Sequence, residues 1–309
     1  MSFDIIGDIH GHADKLEALL TAMGYVDRGG VWRHPSRTAI FVGDLIDRGP
    51  GQLRTLRLVR AMHDAGSALV TMGNHELNAI AWATPDAQAD GHHLRPRHGV
   101  KGTKNLTQHQ AFLTEVGPDS AEHDAWIDWF LDMPLWIERE DLRVVHACWD
   151  PQSVAILRPL LRDGARLDRS VVDASCRRGS PVHGAIEVVL KGAEVTLPDG
   201  VTFRDKEGHE RDAIRIRWWN PALKTYRDAY IGPDGVDMPD IPMASRFNIP
   251  EPDRPTIIGH YWFDPRQRPA PAARRVACVD YSAGKGGPLV AYRFDGEPEL
   301  MAEKFVAVR

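Results

Sequence analysis

The stretch at residues 38–50, which reads TAIFVGDLIDRGP, decides the fold of this 309-residue chain. Apolar, strand-forming residues run into a turn that carries Asp44, Asp47 and Arg48 between glycines, and a helical pattern follows at once. Glycine permits backbone conformations in such a turn that other residues rarely adopt. Ligands of open α/β sheets bind beyond the carboxyl ends of the strands, so the aspartates and the arginine stand where a site is expected.

The same order of strand, glycine and polar residue occurs on both sides of this stretch. Residues 2–6 lead into GDIHG, and residues 67–72 lead into GNHE. Apolar residues at helical spacing follow the first two strands, over 16–23 and 53–62. Strands that alternate with helices favour parallel pairing through right-handed crossovers, which brings all three loops to one edge of the sheet.

With GDIHG, GDLIDRG and GNHE in this order, the chain resembles the calcineurin-like metallophosphoesterases, more narrowly the bacterial branch of the phosphoprotein phosphatase family. That branch includes protein phosphatases and symmetrical dinucleoside tetraphosphatases. The resemblance covers about residues 2–150 and 255–294. It implies an α/β (in detail α+β) metallophosphoesterase fold, a β-sandwich flanked by helices, in one domain over residues 1–309.

The second half of the chain divides into an irregular part and a β-rich part. Apolar runs at 256–261, 275–281, 289–294 and 304–308 predict four strands, which suggest a second sheet packed on the first. The region at 151–252 has no regular pattern, and we expect an accessory insertion of mixed helix and β-structure that is not an independent domain. Because its two ends lie beside the site, we expect it to set substrate choice.

A polar segment from residue 84 to about 107 predicts a loop or cap that leans over the site. Its basic side chains could form a phosphate-binding rim, although a solvated loop is the plainer interpretation. These side chains are His92, His93, Arg95, Arg97 and His98.

Side chains suited to metal ions follow the predicted strand ends. Oxygen and nitrogen ligands without a thiolate suit divalent ions such as manganese, iron or zinc. Two ions roughly 3.5 to 4 Å apart need a bridging carboxylate, for which Asp44 on the central strand is the natural candidate. By the resemblance, Asp8 and His10 hold one ion with Asp44, and Asp44, Asn74, His146 and His260 hold the other, with manganese as the expected metal.

The resemblance also implies roles in catalysis for the remaining motif residues. A hydroxide that bridges the two ions would attack the phosphate ester directly. Arg48 would offer a bidentate fork to the phosphate oxygens. His75 would act as the general acid, and Asp47 would orient it and keep it protonated. Glu76, the last residue of GNHE, is expected to serve local structure.

Each of these polar residues alone could instead cap a helix N-terminus, as Asp and Asn often do. Their joint occurrence in three intact motifs argues for the site. His146 in VVHAC and His260 in IIGHY match the later histidine motifs of the family.

The family usually places a further phosphate-binding arginine between the last two histidines. Arg215, Arg217, Arg227 and Arg246 all lie in that interval, and the sequence does not choose among them. Trp218 and Trp219 beside two of these arginines could stack on a nucleotide, although the alternation Ile-Arg-Ile-Arg-Trp is equally natural for a half-buried strand with a charged outer face.

Three functions remain open at this point. The first expectation is a phosphoesterase that resembles the Ser/Thr protein phosphatases. The alternative is a hydrolase of diadenosine tetraphosphate or other nucleotide polyphosphates. A non-catalytic protein that senses phosphate or nucleotides is a third possibility, but relatives of that kind typically lose ligands or the acid, and here all are present.

Composition narrows the partners and the compartment. A formal net charge of -5 and a pI near 6.3 argue against a general nucleic-acid or membrane-surface binder. No run approaches the ~18 apolar residues of a membrane span, and no charged-then-apolar leader precedes the first strand. Three widely spaced cysteines fit a reducing compartment. We therefore expect a cytoplasmic enzyme acting on a phosphorylated protein or a nucleotide; the sequence carries no signal for an oligomeric state.

Overall fold

The computed structural model describes residues 1–204, 208, 210–232, 235–243 and 249–309. The strands are β1 Ser2–Ile6, β2 Val26–Asp27, β3 Trp32–Arg33, β4 Arg37–Phe41, β5 Ala68–Val70, β6 Trp136–Glu138, β7 Arg143–Val145, β8 Glu194–Thr196, β9 Phe203–Arg204, β10 Glu210–Arg211, β11 Ala213–Ile216, β12 Tyr230–Ile231, β13 Thr256–Ile258, β14 Val276–Cys278, β15 Leu289–Phe294 and β16 Phe305–Val308. The α-helices are α1 Ala13–Met23, α2 Gln52–Asp64, α3 Asn74–Ala83, α4 Gly99–Val116, α5 Ala121–Leu131, α6 Pro151–Leu157, α7 Arg169–Cys176, α8 Pro181–Lys191 and α9 Tyr226–Ala229.

The first sheet has the strand order β16-β15-β1-β4-β5. Strand β4 pairs in parallel with both β1 and β5, and helices α1 and α2 connect these strands. The prediction that the three motif loops share one edge of a parallel sheet is therefore confirmed.

The second sheet has the order β14-β13-β7-β6, with β13 parallel to both of its neighbours. The four late strands exist, but the expectation that they build the second sheet together is only half right. Strands β15 and β16 join the first sheet, because β15 pairs antiparallel along β1 and covers an edge that would otherwise be unpaired.

Alternating side chains hold the two sheets together. Phe3, Ile5 and Ile40 of the first sheet pack with Val144 and Ile257 of the second in one buried cluster. Successive side chains of a strand point to opposite faces, so Ile6 of β1 and Ala39 and Phe41 of β4 pack in the other, larger cluster with the helices. The predicted β-sandwich flanked by helices is confirmed.

The loop predicted at 84–107 is wrong from Gly99 onward, because helix α4 begins there. Its buried side chains His109, Phe112, Leu113 and Val116 lie at i, i+3, i+4 and i+7, which is one helix face. The polar first half of the helix faces outward, and that half is the part that resembles a loop in the sequence.

The region at 151–252 is mixed helix and β-structure, as expected, with α6 to α8 followed by the sheet β12-β11-β8. Ile214 and Ile216 are buried while Arg215 between them is half-buried, as a half-buried strand requires. Trp218 and Trp219 are only 3% and 5% exposed, so they pack in the core rather than offer a stacking surface. That this region forms an insertion into a single domain stays a prediction.

Within the described residues, no helix is both long and apolar enough to cross a membrane.

Candidate active site

Five strand ends from the two sheets converge on one place. The loops after β1, β4 and β5 meet the loops after β7 and β13, and the backbone N–H of Gly259 donates to the carbonyl of His146 at 2.8 Å. All six predicted metal ligands are buried, with Asn74 the most exposed of them at 8%. The set comprises Asp8, His10, Asp44, Asn74, His146 and His260.

Asp44 is the centre of this arrangement. Its Oδ2 lies 3.4 Å from Nε2 of His146 and 3.8 Å from Nε2 of both His10 and His75. Two groups able to hold a metal ion share this carboxylate: His10, Asp44 and His75 in one, and Asp44, His146 and His260 in the other. A carboxylate common to two groups is in the position that a bridging ligand needs.

Backbone carbonyls orient two of the imidazoles. Nδ1 of His10 donates to the carbonyl of Ile46, and Nδ1 of His146 donates to the carbonyl of Val42, each at 2.8 Å. In both rings this leaves Nε2 directed at the centre, which is the usual way in which an outer partner fixes the tautomer of a metal ligand.

The histidines also carry orphaned ring nitrogens. Nε2 of His10 and both ring nitrogens of His260 are buried and have no hydrogen-bond partner among the residues that the structure describes. An unsatisfied buried polar group costs about 1–3 kcal/mol, and a cation would remove this cost. The donor set therefore fits divalent metal ions.

The ionisation of His10 and His260 agrees with that fit. Burial, helped by the neighbouring His75, lowers the pKa of His10 to about 3, and burial holds the pKa of His260 well below its ordinary value. Neutral imidazole is the form that binds metal. Burial also opposes a charge on His146, but the Asp44 carboxylate outweighs it and raises the pKa of His146 to about 10.

Asp8 and Asn74 occupy different positions around the centre. The Asn74 amide oxygen lies 3.2 Å from Nε2 of His146. The Asp8 carboxylate accepts from the backbone N–H of His260 at 3.1 Å and belongs to neither group of three. Burial and the nearby Asp280 raise the pKa of Asp8 well above its ordinary value. The role of Asp8 as a metal ligand stays a prediction.

The site residues have strained backbones. His10, Asp44, Asp47, Arg48 and His260 have φ angles of 49°, 50°, 71°, 74° and 70°, in the left-handed region. Side chains other than glycine there cost on the order of 1–3 kcal/mol each, and such residues cluster at functional sites.

The glycines and Glu76 explain how the second and third motifs hold together. A Cβ on Gly43 would lie 2.2 Å from the backbone nitrogen of Gly73, so neither loop tolerates a side chain at their contact. The Glu76 carboxylate accepts from the backbone N–H groups of Gly73, Asp44 and Leu45 at 2.9, 2.8 and 2.8 Å. The expected structural role of Glu76 is therefore confirmed.

Asp47 joins two buried histidines. Nδ1 of His75 donates to Oδ2 of Asp47 at 2.5 Å, and Nδ1 of His109 donates to Oδ1 at 2.7 Å. Burial opposes both charges, yet His109 and His75 hold the pKa of Asp47 well below its ordinary value, and Asp44 with Asp47 raises the pKa of His75. His109 was missed in the sequence, where a polar residue on the apolar face of a helix was the available signal.

Arg48 is placed by a loop that follows His260. Its guanidinium lies 4.2 Å from the ring centre of Trp262, and the Lys285 ammonium lies at the same distance from that ring. Cation–π contacts of this kind contribute about 0.5–2 kcal/mol and favour the position of the guanidinium beside the ring. Trp262 and Lys285 were not predicted, although Trp262 stands only two residues beyond His260.

A pocket of about 290 Å³ opens over the centre, and we name it the central pocket. Asp44, Asn74, His75 and His260 line it. Later parts of the chain add Phe203, Arg211, Arg215, Trp262 and Lys285 to its walls.

Arg215 is distinguished from the other predicted arginines by this pocket. Arg217 does not line it, and Arg227 pairs with Asp237 and Asp240 on the surface. Arg246 lies outside the described residues.

The basic residues at 92–98 do not line the central pocket. Arg95 donates to Asn78 and Gln108, and Arg97 pairs with Asp119. The suggested phosphate-binding rim therefore has no support in the geometry.

The sequence matches a protein family model and several curated proteins. The family model described as calcineurin-like phosphoesterase matches residues 1–166. The asymmetrical bis(5'-nucleosyl)-tetraphosphatase PrpE of Bacillus subtilis is 41% identical over 152 residues, which are 48% of this chain and 57% of that protein. A symmetrical bis(5'-nucleosyl)-tetraphosphatase of Chromohalobacter salexigens is 27% identical over 299 residues, 94% of each chain.

The chain spans about half the length of the PrpE relatives that it matches. Among solved structures, a cold-active protein-tyrosine phosphatase of a Shewanella species aligns with a TM-score of 0.50 and 18% identity, over 100% of this chain and 80% of that one. At this identity the likeness concerns the fold alone.

Proposed function

Because the chain belongs to the calcineurin-like phosphoesterase family, we propose that it is a binuclear, divalent-metal-dependent phosphoesterase that hydrolyses nucleotide polyphosphates of the dinucleoside tetraphosphate class. The observation that carries the proposal is the Asp44 carboxylate, shared by two groups of buried imidazoles at the base of a pocket whose walls include arginine and lysine side chains.

The buried side chains of the centre would hold two metal ions. Asp8, His10 and Asp44 would hold one ion. The second would be held by Asp44, Asn74, His146 and His260. When bound, two such ions act as Lewis acids toward a phosphoryl oxygen and lower the pKa of water. The oxygen and nitrogen donor set suits manganese, iron or zinc, and we propose manganese.

The equatorial oxygens of the phosphoryl group carry charge that must be neutralised during transfer. Arg48, oriented by Trp262, offers one fork to these oxygens. Arg215 offers another: it lines the central pocket, and its buried Nε makes no hydrogen bond within the described ranges but forms an ion pair with Glu194 at 3.6 Å. We assign Arg215 as the second phosphate-binding arginine.

His75 is placed to supply the proton that the leaving group needs. Nδ1 of His75 is engaged with Asp47, so Nε2, which lies 3.8 Å from Oδ2 of Asp44, faces the centre and is the atom that donates. Asp47 keeps the ring in this orientation, and His109 in turn fixes the Asp47 carboxylate. Positioned acids of this kind contribute about 10²- to 10⁴-fold in rate.

The walls of the central pocket favour a polyphosphate. Four cationic side chains line it, Arg48, Arg211, Arg215 and Lys285, together with the carboxylates of Glu194 and Asp212, and Trp262 and Phe203 add aromatic surface. Two relatives are named as tetraphosphatases. A Ser/Thr phosphatase activity, which was the first expectation from sequence, is the competing outcome.

The test is a substrate panel on metal-reconstituted protein: diadenosine tetraphosphate, phosphoserine and phosphothreonine peptides, and p-nitrophenyl phosphate. We expect turnover that requires divalent metal, with the highest kcat/KM on diadenosine tetraphosphate. A preference for phosphopeptides would overturn the substrate class alone. Absence of turnover on every substrate would support the non-catalytic sensor instead.

A further inference from the structure

A second pocket, of about 630 Å³, shares Arg48, His75 and Gln108 with the central pocket. Helix α4 forms one wall of this second pocket, which we name the α4 groove. None of the six proposed metal ligands is among the described residues that line it. The lining consists of Arg48, His75, Lys104, Thr107, Gln108, Gln110 and Ala111.

One stripe of α4 faces this groove. Lys104, Thr107, Gln108 and Ala111 lie at i, i+3, i+4 and i+7, so their side chains share one side of the helix. Burial of the apolar face around Phe112 fixes the rotation of the helix, and the polar stripe is thereby turned toward Arg48 and His75.

Gln108 is held in one orientation. Its Oε1 accepts from Nη2 of Arg95 at 2.8 Å, and Nη1 of Arg95 donates to Oδ1 of Asn78 at 2.8 Å. Asn78 is on α3, one turn beyond Asn74 and His75. Because the amide oxygen is taken by Arg95, the amide nitrogen with its two N–H donors remains for a ligand.

The groove is rich in donors. Arg48, Lys104 and Gln108 all donate hydrogen bonds, and no carboxylate or aromatic ring other than His75 is found among its described lining residues. Such a surface recognises the acceptor oxygens of phosphate and ribose, and it lacks a platform for stacking a base. The central pocket, by contrast, contains Trp262 and Phe203 together with Glu194.

We propose that the α4 groove binds the leaving group of the reaction, and that this leaving group is a nucleoside phosphate contacted through its phosphate oxygens by Lys104 and Gln108. The inference rests on the proposed function, in which His75 protonates the leaving oxygen. A general acid must lie within hydrogen-bond reach of that oxygen, and His75 is in the wall that the two pockets share.

The reaction balances as a hydrolysis. One water forms a bond to phosphorus, and the bond between phosphorus and the bridging oxygen of the leaving nucleotide breaks. That oxygen takes the proton of His75, which regains one from solvent, while the attacking water releases one. The central pocket then holds one nucleotide product and the α4 groove the other.

The experiment compares Lys104→Ala and Gln108→Ala with Lys101→Ala in the metal-loaded protein. Lys101 is exposed on the same helix and does not line the groove, so it is the matched control. We expect the ratio of kcat/KM on diadenosine tetraphosphate to that on p-nitrophenyl phosphate to fall about tenfold in the two groove variants, which is typical for a lost charged hydrogen bond. The control should keep the wild-type ratio.

A binding measurement gives a second readout. The Kd of ADP, measured by calorimetry, should rise about tenfold in Lys104→Ala and recover largely in Lys104→Arg. Thermal melting of each variant checks that the fold is intact.

The outcomes separate the two proposals. If the wild type cleaves diadenosine tetraphosphate and the groove variants keep both its ratio and its ADP affinity, the groove inference is wrong and the proposed function stands. If the wild type cleaves p-nitrophenyl phosphate but no dinucleotide, the proposed substrate itself is wrong. If the groove variants lose as much kcat/KM on phosphopeptides as on diadenosine tetraphosphate, the group that binds in the α4 groove is not a nucleoside phosphate.

Discussion

The strand-end centre and the walls above it are built in different ways. Asp44 and His146 at the centre are 1% and 0% exposed, and backbone groups fix both side chains. Arg215 and Lys104 in the walls are half-buried and exposed, on a strand of the later region and on helix α4. Buried groups in fixed positions can hold ions and transfer protons, whereas more exposed side chains can adapt to a substrate. We therefore expect residues of the centre to determine the rate of hydrolysis and residues of the walls to determine which substrate is preferred.

The difference also concerns the backbone. The centre concentrates left-handed residues such as His10, Asp44 and Asp47, which only a closely packed surrounding can maintain. Substitutions there should affect metal binding and turnover together. Substitutions in the walls should leave the metals in place and change the ranking of substrates.

The largest effect is expected from Asp44→Asn. Its carboxylate is shared by both proposed ions, so the variant should lose metal and activity beyond the roughly 10- to 100-fold typical of an outer-shell change. The Asp8 carboxylate lies outside both groups of three, so Asp8→Asn should lose less metal and less activity. Elemental analysis should approach two ions per chain in the wild type. Equal metal content and equal rates in the two variants would argue that Asp44 does not bridge.

His75→Asn should come next, with metal content nearly intact and kcat lowered by roughly 10²- to 10⁴-fold. The loss should be smaller on p-nitrophenyl phosphate, whose phenolate departs without a proton, than on an alkyl phosphate. If both substrates suffer equally, His75 is not the acid and its role is to bind phosphate or to support the structure.

His109→Ala should lower turnover of an alkyl phosphate about tenfold, because the outer partner of Asp47 is lost. His109→Asn, with an amide nitrogen near the position of Nδ1, should restore much of the rate. His123→Ala is the matched control, since His123 is fully buried and packs on the same Phe112 ring without contacting Asp47 in the described hydrogen bonds. Equal losses in the two alanine variants, without rescue by asparagine, would reduce His109 to a packing residue.

The smallest effect is expected in the walls. Arg215→Ala should lower kcat/KM on diadenosine tetraphosphate about tenfold more than on p-nitrophenyl phosphate, the usual consequence of losing a charged hydrogen bond. Arg217→Ala and Arg227→Ala, which do not line the central pocket, should keep the wild-type ratio. A uniform response of the three variants would mean that the later region does not select the substrate.

Sequence alone was sufficient for the family, which is confirmed, and for the strands that carry the three motifs. The reason is that each motif is local. An apolar strand, a glycine in a turn and a polar residue follow one another within ten residues. Asp8, His10, Asp44 and Asn74 could be named because they stand in such stretches, and His146 and His260 because their contexts match the later histidine motifs of the family.

Tertiary structure alone decided the contacts between distant segments. His109 meets Asp47 across 62 positions of the chain, and β15 takes its place beside β1 from nearly the other end of the sequence. Nothing in the local pattern at 99–108 distinguishes a polar helix face from a loop, and nothing in the interval between His146 and His260 distinguishes Arg215 from its neighbours. Those choices depend on which apolar face finds a core to pack against, and that is settled only when the whole chain has folded.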